Sequence, residues 1–291
     1  MKKSNLAGAA VFISMAVNNV NAANMAYVEV NANNMENTAC YVRSDTKKPY
    51  FDIVSIFAAN INGKSPDSPE IYFNSNVSAV LNSDQVANLQ KRGMKVLVTL
   101  LGNHENAGWA CMTDPVAAKK FANAIVSTVN NFHLDGIDID DEYSTCKPNN
   151  YSITMIAQAI KSNPAFKGKL LTKALFNDYY YFKESYNGHK LSEYLDYGWE
   201  MSYSNGNFDG RLTQYLQNGM TADRLMLGGW ASRFYPDPFA IGQYSVNNHL
   251  AGMMVYDITK TSQDYLSRLL RSENDQLRLD VLPGCLQDKI R

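Results

Sequence analysis

The stretch DPVAAKKFANAIVSTVNNFHLDGIDIDDEYS, Asp114 to Ser144, holds one repeat of the pattern that the rest of the chain follows. It reads as a helix from Asp114, with Pro115 in the first turn where its missing N–H is no loss, and then as the apolar strand LDGIDID from Leu134. The strand ends in acid: Asp138, Asp140, Asp141 and Glu142 fall within five consecutive positions. Carboxylates this close raise one another's proton affinity and work against the fold, so the crowding points to chemistry at the end of the strand.

Outward from this unit, apolar runs of strand length alternate with helical segments. The runs are MAYVEV from Met25, FDIVSIFAAN from Phe51, KVLVTLLG from Lys95, LDGIDID from Leu134, KLLTKALF from Lys169, DYGWEMSY from Asp196, RLMLGGW from Arg224 and AGMMVYDI from Ala251. Helices are expected from Ser83, which caps a segment stopped by Gly93, and from Asp114, Asn149, Leu191, Phe208, Asp237 and Thr261. The crossover between residues 31 and 50 is the least helical. Continuous apolar strands, each followed by a helix, indicate a parallel sheet covered on both faces. The count fits a single (β/α)8 TIM barrel better than an open doubly wound sheet, and MAYVEVNANNM lacks the glycine-rich phosphate turn that an open sheet normally carries after its first strand. In a barrel, loop chemistry gathers at the carboxyl ends of the strands, where Asn60, Asn103, His104, the acidic cluster, Asn177, Tyr203 and Tyr256 fall.

The 291 residues carry a net charge of −1 and no basic block, which gives no footprint for nucleic acid or an anionic membrane. Abundant aromatics and Asn suit an uncharged polar ligand such as a sugar. Lys2 and Lys3, the apolar run LAGAAVFISMAV and the small-residue end at Ala22 match a secretory signal, too short to span a bilayer. Residues 1–22 are therefore expected to be a signal peptide and 23–291 one catalytic domain, secreted or periplasmic, free of the membrane after cleavage and monomeric. Cys40, Cys111, Cys146 and Cys285 lack zinc spacing and suit an oxidising compartment. Cys111 and Cys146 follow consecutive predicted strands, which places them in neighbouring loops of a barrel; a bridge between them is expected, with four free thiols the competing reading.

Side chains alternate along a strand, so Asp138, Asp140 and Glu142 share the face that points into the barrel mouth while Asp141 has the opposite parity. Tips two residues apart stand roughly 7 Å apart, and converging carboxylates in a partly dry pocket do not all ionise near neutral pH. A carboxylic acid protonated at working pH is what glycosidic cleavage needs, because the leaving oxygen must take a proton. Calcium or magnesium is the first competing use, but DIDDEY lacks the glycine and spacing of a calcium loop, so no metal or cofactor is expected. A structural ion cluster is the second, and the only cation nearby in sequence is Lys147.

LDGIDIDDE resembles the D-G-x-D-x-D-x-E signature on strand four of glycoside hydrolase family 18, matched by Asp135, Gly136, Asp138, Asp140 and Glu142. Within that family YVEVNANNM, FDIVSIFAANIN, GMKVLVTLLGNHENAGWA and AGMMVYDI look like the endo-β-N-acetylglucosaminidases of the endoglycosidase H and F1 type. The resemblance implies a (β/α)8 barrel that cleaves between the two core N-acetylglucosamines of N-linked glycans, of high-mannose or hybrid type, with substrate-assisted retention. It implies Glu142 as acid and then base, Asp140 orienting the substrate acetamide, Asp138 sharing a proton behind it, and Tyr203 of MSYS holding the acetamide. Tyr256 stands where chitinases usually place Trp, and Ser204 where they place Asp. Tyr256, Asn103, His104, Asn60 and Asn177 are candidate sugar contacts; His104 reads equally as a loop brace, and Trp109 as groove wall or packing. A chitinase and a non-catalytic glycan-binding barrel are the alternatives.

Overall fold

In the computed structural model, which describes residues 23–204 and 206–289, eight parallel strands close on themselves. They are β1 Met25–Glu29, β2 Ile53–Asn62, β3 Lys95–Gly102, β4 Gly136–Ile139, β5 Leu170–Leu175, β6 Tyr197–Glu200, β7 Leu225–Trp230 and β8 Gly252–Tyr256. Each pairs with the next, and β1 pairs with both β2 and β8, so no edge is left open. The expected segment of residues 1–22 lies outside the described residues.

Among the described residues eight α-helices surround the strands: α1 Ser75–Leu81, α2 Gln85–Lys91, α3 Pro115–Asn131, α4 Ser152–Lys161, α5 Tyr180–Lys183, α6 Phe208–Leu216, α7 Pro238–Asn247 and α8 Gln263–Glu273. The start of α3 is fixed by Asp114, whose carboxylate accepts from Val116 N, with Pro115 just inside. Its buried residues Ala118, Phe121, Ala122, Ile125, Val126 and Val129 recur at helical spacing and face the barrel. The segment expected from Ser83 begins instead at Gln85 with Asp84 as N-cap; Ser83 Oγ still accepts from Gln85 N at 3.2 Å. The Leu191 segment shortens to a single 3-10 turn, Leu191–Glu193, and α1 and α5 are helices that the apolar pattern did not reveal.

Two apolar cores result. One fills the space between strands and helices, and a smaller one, with Met25, Tyr27, Ile53, Leu97, Ala174, Trp199, Met226 and Met254, fills the barrel itself. The segment after α8 is tied to the barrel: Leu279–Val281 pairs antiparallel with Tyr41–Arg43, and Cys285 is bonded to Cys40. The second disulfide joins Cys111 to Cys146.

Candidate active site

β4 carries its side chains alternately into the barrel and toward the helices. Asp138, fully buried inside, is surrounded by donors. One oxygen accepts from Tyr27 Oη at 2.6 Å and Thr99 Oγ1 at 3.0 Å, the other from Thr172 Oγ1 at 2.6 Å and Trp199 Nε1 at 3.1 Å. Every lone-pair direction of this carboxylate is thus addressed from β1, β3, β5 and β6. Burial pushes its pKa up to about 6, and the four hydrogen bonds pull against that rise.

Asp140, one pleat above, is 2 % exposed, yet among the described residues the only hydrogen bond it receives is a 3.4 Å contact from Glu142 N. Its proton affinity lies well above the usual carboxylate range, first because of burial and then because Glu142, Asp138 and Asp141 crowd it, with Lys173 acting in opposition. Glu142 is half-buried, and no side-chain hydrogen bond or ion pair is seen for it among the described residues. Burial raises its pKa, Asp141 adds to the rise, and Lys173 offsets part of it.

Both carboxylates line a cavity of about 480 Å3, whose other walls are Tyr27, Phe57, Leu101, Tyr143, Phe176, Met201, Tyr203, Trp230, Arg233 and Tyr256. The aromatics brace one another at its base: Tyr256 has ring centroids 5.2 Å from Trp230, 5.6 Å from Phe57 and 5.9 Å from Tyr203. Burial pushes the Tyr256 hydroxyl up to about 12 and the Tyr203 hydroxyl well above the ordinary phenol range, so both are neutral donors. Among the described residues Tyr203 Oη has only Met254 Sδ, at 3.3 Å, a weak partner that a ligand oxygen would displace. Arg233 lies over the Trp230 indole with its guanidinium carbon 3.7 Å from the ring centroid.

The remaining predicted positions lie outside this wall. Asn103 donates to Asn62 Oδ1 at 2.8 Å, and Asn60 faces Gly102 O at 3.4 Å. His104 has φ 57°, and its backbone N–H donates to Tyr143 O at 2.7 Å, which makes it a brace of the loop after β4. Asn177 is exposed in the turn after β5, with φ 55°. Trp109 is core: 1 % exposed, it donates to Leu100 O at 2.8 Å and packs on Phe121.

Behind the acidic turn stands a cation that sequence neighbours did not reveal. Lys173 of β5, fully buried, places Nζ 2.6 Å from Asp141 Oδ1, in an ion pair with Asp178 and 2.9 Å from Ala174 O. Burial works against its charge, but the two carboxylates outweigh that and hold the ammonium above the ordinary lysine range. The signal lay in KLLTKALF: a lysine inside a strand buried on both faces has to meet carboxylates.

On the other flank the loop after β4 presses against the end of β3. Gly102 N donates to Glu142 O at 3.1 Å, and a Cβ on Gly102 would meet that oxygen at 2.4 Å. The approach admits only glycine, and the nearby Cys111–Cys146 bond ties down the far end of the same loop.

Known proteins provide an independent comparison. Over 156 residues the chain is 38% identical to the endo-beta-N-acetylglucosaminidase of Flavobacterium sp. (strain SK1022), covering 51% of this chain and 48% of that protein. Over 183 residues it is 31% identical to endo-beta-N-acetylglucosaminidase F1 of Elizabethkingia meningoseptica, covering 59% and 53%. The matched part of the chain spans about half the length of each of these relatives. Among solved structures, Bacteroides thetaiotaomicron EndoBT-3987 with Man5GlcNAc product superposes with a TM-score of 0.75 at 22% identity, over 92% of this chain and 63% of that one. That likeness speaks for the barrel alone. Residues 4–235 match the domain profile described as Glycosyl hydrolases family 18, well over half of the sequence, and the chain therefore belongs to glycosyl hydrolases family 18.

Proposed function

We propose that this chain is an endo-β-N-acetylglucosaminidase that cuts the β-1,4 bond between the two core N-acetylglucosamines of N-linked glycans, with high-mannose or hybrid glycans as preferred substrates. The observation that carries the reading is a contrast along one segment: Asp138 has all its acceptor sites filled by the protein, while Asp140 and Glu142 face the aromatic cavity and, among the described residues, their carboxylates accept only the 3.4 Å contact from Glu142 N to Asp140. The names of the two sequence relatives support the linkage, and EndoBT-3987 has been solved in complex with a Man9GlcNAc2Asn substrate.

In the reaction, Glu142 gives its carboxyl proton to the glycosidic oxygen as the C1–O bond breaks. The carbonyl oxygen of the substrate's own 2-acetamido group attacks C1 and forms an oxazolinium. Asp140, in its ionised form, accepts the acetamide N–H; the growing positive charge beside it favours that ionised form over the protonated one that burial favours at rest. Tyr203 Oη donates to the acetamide oxygen. Water then opens the ring while the Glu142 carboxylate takes its proton, so configuration is retained and the acid is restored. Because the nucleophile belongs to the substrate, the separation of Asp140 and Glu142 does not encode the stereochemistry. The raised proton affinity of Glu142 keeps more of it protonated near neutral pH than an exposed glutamate would be. The Tyr256 ring offers a flat face for the apolar side of a pyranose.

Residues 1–22 are read as an export signal, which N-terminal sequencing of the mature protein from the native host would check. For the activity, the test is incubation with a high-mannose glycoprotein beside chitin oligomers. A single N-acetylhexosamine left on the peptide supports the assignment; cleavage of the oligomers with the glycoprotein intact would make the protein a chitinase, and binding without cleavage of either a glycan-binding barrel.

A further inference from the structure

The register between β4 and β5 ends with Ile139 opposite Lys173. Beyond that pair the two flanks of the acidic turn are held differently. On the β3 side the backbone continues the attachment, through Asp140 N to Leu100 O at 3.1 Å, Gly102 N to Glu142 O at 3.1 Å and His104 N to Tyr143 O at 2.7 Å. On the β5 side the ladder has stopped, and the attachment passes to a side chain: Lys173 Nζ reaches past the last paired residue to Asp141 Oδ1 at 2.6 Å. Lys173 itself is fixed from three further directions, by its ion pair to Asp178, by Ala174 O at 2.9 Å and by the Tyr181 ring 5.9 Å away. Asp178 is in turn held by Tyr215 Oη at 2.6 Å and Phe176 N at 3.2 Å.

We infer that Lys173 is a positioning residue, which, by holding Asp141 on the helix side of the strand, sets the backbone from which Asp140 and Glu142 point into the cavity. Alternation does the rest. With Asp141 clamped outward, its two neighbours have to face inward, and a turn freed from the clamp lets Glu142 sample rotations that lift its carboxyl from the glycosidic oxygen. Asp178 makes the clamp single-valued, since a buried ammonium with one carboxylate would keep an unfilled donor. The triad also sets the field at the acid. Glu142 faces Asp140 and Asp141 from its own segment, Lys173 and Asp178 from the β5 side, and Tyr143, Tyr203 and Arg233 around the cavity. Of these, Asp141, Lys173 and Asp178 belong to the clamp; the two carboxylates raise the proton affinity of Glu142 and the ammonium lowers it.

This inference rests on the proposed reaction, and the test separates the two. In Asp141→Asn, Lys173 keeps Asp178 and the fold keeps its volume. The Glu142 carboxyl is followed by 13C NMR of glutamate-labelled protein against pH, a readout that needs no substrate. Removal of the neighbouring negative charge is expected to lower the Glu142 midpoint by about half a pH unit or more. On a high-mannose glycopeptide, kcat is expected to fall at least about tenfold with KM within about twofold, since the loss is in orientation at the reacting bond.

The triple variant Lys173→Met, Asp141→Asn, Asp178→Asn removes the charges together and is expected to fold, because a buried ion cluster replaced as a whole leaves no stranded charge. Its kcat should fall further, and Lys173→Arg, which keeps the cation, should retain more activity than the triple variant. An unmoved Glu142 midpoint together with kcat within twofold of wild type in Asp141→Asn would overturn the inference. A wild-type protein inactive on the glycopeptide would instead overturn the proposed function, while the NMR midpoint would still report on the clamp.

Discussion

Replacing Asp138 by asparagine tests whether the folded protein holds a proton on the carboxylate under the site up to about pH 6. The rise from an ordinary 3.8 to about 6 makes ionising Asp138 inside the barrel about 3 kcal/mol harder than in the unfolded chain. The sign follows from where the proton sits. Between these two values the folded protein holds a proton that the unfolded chain has released, so the stabilisation is fully present below pH 3.8 and is lost as pH rises through about 6.

Asparagine keeps the shape and removes the titration. Trp199 Nε1 can only donate, and it is shared between Tyr27 Oη at 2.7 Å and Asp138 at 3.1 Å, so the amide oxygen is best placed toward Trp199 and Thr172, which turns the amide N–H2 toward the hydroxyls of Tyr27 and Thr99. Hydroxyls can rotate to accept, so the substitution costs about 1–2 kcal/mol where wild-type Asp138 is protonated. From pH 4 to pH 7, wild type should lose about 2 kcal/mol relative to Asp138→Asn, so that the variant begins less stable and ends equal or more stable. Asp140 acts in the same direction, since loss of the Asp138 charge lowers its proton affinity too. Urea unfolding at a series of pH values measures the crossing; a stability difference that stays constant from pH 4 to pH 7 would refute the reasoning.

Three further outcomes are expected. Asp140→Asn should lower kcat by about a hundredfold or more with KM changed only a few-fold, because its attraction to the acetamide is strongest when that group is cationic; steady-state kinetics on a glycopeptide decide it. Tyr256→Ala should raise KM roughly tenfold with a smaller change in kcat, the size expected for loss of one stacked ring, and titration calorimetry with a chitobiose-type ligand would show equal affinity if the ring faces no sugar. Breaking the Cys40–Cys285 bond, which closes a loop across 245 residues, should destabilise the fold by about 5 kcal/mol on a chain-entropy basis, and calorimetric unfolding of the double serine variant measures the loss.

The sequence revealed most where the information is local. Strand parity needs only neighbouring residues, so it could place Asp138 and Asp140 inside and Asp141 outside before any partner was known. The eight strand runs were legible for the same reason, because strands buried on both faces are continuously apolar. The Asp141–Lys173 contact depends on the register of β4 against β5, a property of the closed barrel that no single segment encodes. Trp230 and Phe57 are not legible as cavity walls because each looks like an ordinary strand residue until the barrel brings it beside Tyr256. The asparagines at the carboxyl ends of β2, β3 and β5 resemble ligand contacts in the sequence because they are polar and lie near the strand ends. In the fold, Asn60 and Asn103 instead bind backbone and each other's neighbours, which is how polar residues in tight turns satisfy themselves.

The central claim is that one proton, carried by Glu142, is delivered to the oxygen of the N-acetylglucosamine that stays on the asparagine. Its most direct test is a peptide bearing a single defined high-mannose glycan, incubated with wild type and with Glu142→Gln and read by mass spectrometry. The account predicts that wild type leaves one N-acetylglucosamine on the asparagine, while the glutamine variant, folded and able to bind, leaves the glycan intact beyond about one part in a thousand. Turnover by Glu142→Gln near the wild-type rate would contradict it.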